Sequence, residues 1–164
     1  MLETHQYYMR EAMIQATKAL EADEVPVGAV IVHGGRIIAR AYNQRETLRD
    51  PTAHAEMIAI TQAAESLDNW RLEGATLYVT KEPCVMCAGA MVQARVDTLV
   101  YGARDEKAGA AGSVVNLVEE PRFNHRIKVV AGVLEEESGK LLKEFFQERC
   151  RSGRTGRSRK PLSA

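Results

Sequence analysis

Residues 75–101 read ATLYVTKEPCVMCAGAMVQARVDTLVY, and this stretch decides the fold. Residues 75–80 are an apolar, β-rich run of buried-strand type; Pro83 then opens a helix from Cys84 to about Ala94, and residues 98–101 make a second strand. A strand, a short helix and a strand form a βαβ unit, whose crossover is right-handed and whose strands run parallel. Upstream, residues 27–32 and 36–41 are two further β-rich runs. His33, Gly34 and Gly35 separate them, which signals a hairpin. Before these, Tyr8, Met9, Ala12, Met13, Ala16, Ala19 and Leu20 recur every three or four residues, predicting an amphipathic helix over residues 4–24 that ends before Pro26. Asp50 followed by Pro51 predicts a helix start, with that helix running to about Ser66. Residues 102–113, rich in Gly and Ala, read as a loop near a site. Residues 127–133 supply a fifth strand, and 135–148 a last helix with Leu141, Leu142, Phe145 and Phe146 on its inner side. The expected fold is α/β, a mixed five-stranded sheet covered by helices.

The chain has 164 residues, 45% hydrophobic and 27% charged, the proportions of one soluble domain. At this size about 70% of the unfolded surface is buried, so no disulfide staples are needed. Three cysteines cannot form an even framework, and no stretch reaches the roughly 20 apolar residues of a membrane helix. No secretory signal is read at the start, and a cytoplasmic, reducing compartment with no membrane association is expected. Six of the 22 basic residues fall in 149–164, leaving 16 against 22 acids in 1–148. That asymmetry suggests either an arm for a polyanion or a solvated end. The chain accordingly divides into a domain of residues 1–150 and a basic tail of residues 151–164.

His54-Ala55-Glu56 stands at the start of one expected helix and Pro83-Cys84-Val85-Met86-Cys87 at the start of another. Two cysteines three apart share one face of a helical turn, where the positive end of the helix dipole favours thiolate. With His54 they would give zinc three ligands. A tetrahedral ion then keeps one position open for water, which is what separates a catalytic site from a closed structural one. Zinc lowers the pKa of such a water toward about 7, and Glu56 is placed to move its protons. Residues two apart on an ideal helix point about 200° away from each other, so His54 and Glu56 share a site only if that helix start is irregular or the metal lies near the helix axis. Cys-x-x-Cys beside a βαβ unit could equally be a redox pair, or half of a structural site closed by Cys150 or His125. The combination of H-x-E and P-C-x-x-C about 30 residues later favours a zinc-dependent nucleobase deaminase.

The sequence resembles the bacterial tRNA-specific adenosine deaminases. The likeness runs over about residues 5–150, through VPVGAV at 25–30, DPTAHAE at 50–56, EPCVMCAGA at 82–90, GARD at 102–105 and GAAGS at 109–113. It implies a three-layer α/β/α cytidine deaminase-like fold and a homodimer. The implied activity converts adenosine to inosine at the wobble position of a tRNA anticodon, with the anticodon stem-loop as partner. By the same likeness His54, Cys84 and Cys87 hold one Zn2+ per chain and Glu56 is the proton shuttle. Asn43 would bond the flipped base and Asp105 lie near the ribose, with Val27, Ala55 and Arg149 also binding substrate; read without the likeness, Asn43 is a turn residue. Lys81 and the segment Tyr42-Asn43-Gln44-Arg45 depart from the pattern, which expects a larger apolar residue and a Trp-Asn-Arg-Pro type run. The rival readings are a deaminase of a free base or nucleotide, of guanine or cytosine type, and a non-catalytic zinc module that binds RNA.

Overall fold

The structure, a computed structural model, describes residues 1–153. Residues 154–164, most of the expected basic tail, lie outside the described residues. Helix α1 (Leu2–Glu21) leads into the hairpin of β1 (Gly28–His33) and β2 (Arg36–Tyr42). A short α2 (Arg45–Leu48) and then α3 (Ala55–Leu67) follow, before the unit β3 (Ala75–Lys81), α4 (Val85–Gln93) and β4 (Thr98–Ala103). Strand β5 (Lys128–Ala131) and α5 (Glu135–Arg151) complete the domain. The sheet order is β2-β1-β3-β4-β5. Strand β1 is antiparallel to both β2 and β3, whereas β3, β4 and β5 run parallel, so the sheet is mixed as expected.

Alternation along the strands sorts the helices onto two faces. Ala29, Ile31, Leu77, Val79, Leu99 and Tyr101 face α3 and α4 in the larger core. Val30, Val32, Tyr78 and Val100 face the opposite way, with Met9 and Ala12 of α1. Gly28 and Gly102 lie on that second face, against α1 and Ser138 of α5 respectively. The result is three layers, with the ends of β2 and β3, the start of β1 and the loop after β4 along one rim.

Four local expectations change. Helix α1 stops at Glu21 because Asp23 takes a left-handed φ of 59° and Glu24 N–H bonds back to Ala19 O at 2.9 Å. Helix α3 begins at Ala55, not at Asp50: the Asp50 carboxylate accepts from Thr52 N–H (2.8 Å) and Thr52 Oγ1 (2.7 Å), folding a turn where a helix start was read. Helix α2 was not anticipated. In α5, Leu142 and Phe145 are buried but Phe146 is 51% exposed, and the helix continues through Arg151, past the expected end at Glu148.

A Cβ on Gly28 would fall inside the backbone of Ala12 and Ala16, so only glycine lets α1 lie this close to the sheet. Gly28→Ala should cost about 3 kcal/mol or more, because backbone cannot step aside as a side-chain end can. Denaturant unfolding of the variant against the parent checks this.

Candidate active site

Two helix starts meet at the rim. His54 is the residue before α3 and is extended (φ −75°, ψ 151°), and Cys84 stands likewise before α4 (φ −75°, ψ 175°). The extended His54 answers the geometric objection, since it is not held to helical spacing from Glu56. His54 Nδ1 lies 3.6 Å from Cys84 Sγ and 3.5 Å from Cys87 Sγ, and the three ligand atoms lie within 4.8 Å of one another. This group could hold a metal ion. Among the described residues it is the one His, Cys, Asp and Glu group of that kind. His125 instead places Nε2 2.7 Å from Val96 O, and Cys150 is an exposed thiol on α5.

The charges in the group are interdependent. The hydrogen bond from Cys87 and, after the opposing cost of burial, that from His54 pull the Cys84 thiol down to about 3. Sharing that proton with Cys84 and being buried both push Cys87 up. His54 is raised chiefly by its bond to Cys84, against burial. A metal needs neutral imidazole and two thiolates, so its binding here would release protons. Glu56 is 4% exposed, and burial raises its carboxyl pKa. A carboxyl so raised can hold a proton nearer neutral pH than an exposed one.

A cavity of about 190 Å³ opens onto this group, lined in part by Val27, Asn43, His54, Ala55, Glu56, Cys84 and Asp105. The structure thus gathers the expected site residues, with Cys87 buried behind them, and leaves out Arg149. That side chain donates from Nη2 to Asp23 O at 2.7 Å and lies over the Phe145 ring, tying α5 to the end of α1. Asn43 is buried, its Nδ2 donating to Val25 O at 3.3 Å while Oδ1 is buried without a partner. Because a carbonyl can only accept, that bond fixes which end of the amide is which.

Sequence reasoning missed Arg45, Glu82 and Phe146, which also line the cavity. The two noted departures, Lys81 and the 42–45 segment, bring Lys81 and Arg45 into it as well. Lys81 Nζ pairs with Asp105 Oδ2 at 2.8 Å. Burial raises the Asp105 pKa, but Lys81 and the amides of Lys107 and Ala108 outweigh it, and the net shift is downward.

The comparisons with known proteins agree with this geometry. Residues 3–150 match the model of the MafB19-like deaminase family, so fold and site together define a deaminase. A tRNA-specific adenosine deaminase of Bacillus subtilis is 58% identical, over 86% of this chain and 88% of its own. A solved structure from a study of A-to-I editing by tRNA:A34 deaminases is 48% identical with a TM-score of 0.80, over 83% of this chain and 99% of that one. A guanine deaminase from Nitrosomonas europaea superposes with a TM-score of 0.74 at 27% identity, over 85% and 83%. The chain belongs to the tRNA-specific adenosine deaminase family.

Glu24 holds α2, the short helix whose first residue, Arg45, lines the cavity. It is fully buried, and its Oε1 accepts Thr47 N–H of α2 at 2.6 Å. Glu24→Ala should cost about 1–3 kcal/mol and speed amide exchange at Thr47, because the donor loses its partner. Exchange measured by mass spectrometry over residues 43–50 tests it.

Proposed function

We propose that this chain hydrolyses adenosine to inosine and ammonia at the wobble position of a tRNA anticodon, using one zinc ion per chain. The observation that supports it most is the three-donor group, whose His54 and Cys84 line one cavity with a buried carboxyl, Glu56, and a buried amide, Asn43. Zinc fits the donors. With Zn–N near 2.0–2.1 Å and Zn–S near 2.3 Å, a tetrahedral ion separates nitrogen from sulfur by about 3.6 Å, and His54 Nδ1 stands 3.5 and 3.6 Å from the two sulfurs. When bound, zinc supplies a nucleophile at neutral pH by lowering the pKa of water.

The chain's own groups do the rest. Glu56 takes up a proton, delivers it to the ring nitrogen N1 of the purine, and later carries one to the departing ammonia; its burial suits it to both stages. Asn43 keeps a free acceptor and belongs to the amide class that can both accept from and donate to adenine. Val27 and Ala55 wall the base, and Asp105 meets the ribose side. Arg45 places a cation where a polyanion would pass, while the Lys81 ammonium is taken up by Asp105. Arg149 lies outside the cavity, held by Asp23 and Phe145, and has no part in this reading. The anticodon stem-loop suits such a site because its bases are already unpaired and cost less to extrude. The family likeness supports a homodimer as the working form and the cytoplasm as its place. No helix among the described residues is long and apolar enough to cross a membrane.

Glu56→Ala should keep zinc and tRNA binding and lose at least about 10⁴-fold in turnover, since one group moves protons at two stages. Cys84→Ser should lose metal and activity together, as elemental analysis would show. The deciding assay compares a tRNA bearing adenosine at the wobble position with free adenosine, guanine and cytidine. Inosine in the tRNA alone is the expected result, and turnover of guanine alone would overturn the reading.

A further inference from the structure

Two consecutive charged side chains at the end of β3 converge on Asp105, and the chemistry above uses neither as a reacting group. Glu82 is 2% exposed. Its Oε2 accepts Asp105 N–H at 2.9 Å and the Ser113 hydroxyl; its Oε1 accepts the N–H groups of Ala111 (3.1 Å) and Ser113 (3.0 Å). Four donors match the four lone-pair sites of a carboxylate. They come from residues 105–113, so one side chain sets the course of the whole loop. A Cβ on Gly109 would overlap the Glu82 carboxylate and the Asp105 carbonyl, which shows how tightly the loop wraps it. Ala110 N–H adds a bond to Pro83 O at 2.8 Å. Lys81 holds the other handle, with Nζ on Asp105 Oδ2 at 2.8 Å, while Asp105 Oδ1 accepts from Lys107 and Ala108 N–H.

We propose that Glu82 and Lys81 are positioning residues that hold Asp105, by its backbone N–H and by its carboxylate, in place at the cavity before substrate arrives. The proposal rests on the reading of that cavity as the site of an RNA nucleotide. A loop already ordered pays no ordering entropy on binding, so loosening it raises KM and leaves the chemical step alone. A role in stability alone would instead lower the amount of active enzyme, and with it the apparent kcat, at unchanged KM.

The test is a pair of double-mutant cycles through Asp105, read on an anticodon stem-loop with the metal-loaded enzyme. Glu82→Gln replaces an acceptor oxygen by a donor and should raise KM about tenfold. Lys81→Met should raise it about threefold, as the pair is partly exposed. Both should keep kcat within about twofold and retain the bound metal. In an Asp105→Ala background each should change KM by less than about twofold. Equal effects with and without Asp105, or a fall in kcat at constant KM, would overturn the proposal. If Glu82→Gln yields no folded protein, the Lys81→Met cycle decides alone. If the parent makes no inosine, the proposed function is what fails. Amide exchange at Asp105, Ala111 and Ser113 then still tests the hold: faster exchange in Glu82→Gln supports it, and unchanged exchange refutes it.

Discussion

One nitrogen and two sulfurs have to meet within a few ångströms although they come from residues 54, 84 and 87, and their meeting organises the rim of the sheet. Neither His54 nor Cys84 is inside its helix; each is the extended residue in front of one, where the side chain is free of helical spacing. Placing both helix starts at one rim requires α3 and α4 on the same face of the sheet, and the shared core of Ala55, Ala59, Ala88 and Met91 with Leu77 and Val79 provides that. The positive ends of two helix dipoles then point at the group. Thiolate and carboxylate are favoured there, against the cost of burying them.

How much of this could be read in the sequence depended on the range of the interactions involved. The βαβ unit and the hairpin are specified by period and by turn residues close in the chain, and they lie where the sequence places them. Asp50-Pro51 is ambiguous in sequence because an aspartate that caps a helix and one that closes a turn present the same side chain to a nearby N–H. What settled it, the hold of Asp50 on Thr52, is a property of conformation and not of composition. His54, Glu56, Cys84 and Cys87 could be found because metal chemistry restricts both residue type and spacing. Glu82 could not, since its partners lie 23 to 31 residues on in a loop of small side chains with no pattern of their own.

That loop also shows how a segment without apolar bulk becomes ordered. Ala110 and Ala111 are buried, yet residues 102–113 hold too little hydrocarbon to drive their own packing. Their order is polar. Glu82 pays for its burial through the hydrogen bonds it accepts, and burial's upward pull on its pKa is overcome by the donors from Ser113, Asp105 and Ala111. The carboxylate therefore stays charged, and a charged acceptor bonds backbone amides more strongly than a neutral one.

Burial and hydrogen bonding also bear on whether the three-donor group is catalytic or structural. A closed structural site would need a fourth protein donor. Neither distant candidate joins the group: His125 sits on the Val96 carbonyl, and Cys150 is a free thiol exposed on α5. Glu56, the nearby carboxylate, is outside the donor group but lines the same cavity. Burying a carboxylate costs stability, and burial has raised the pKa of this one despite its hydrogen bond with Cys87. Proteins keep such groups where chemistry uses them. Three donors, an acid beside them and a cavity of about 190 Å³ in front fit the deaminase family to which the chain belongs better than they fit a closed structural site.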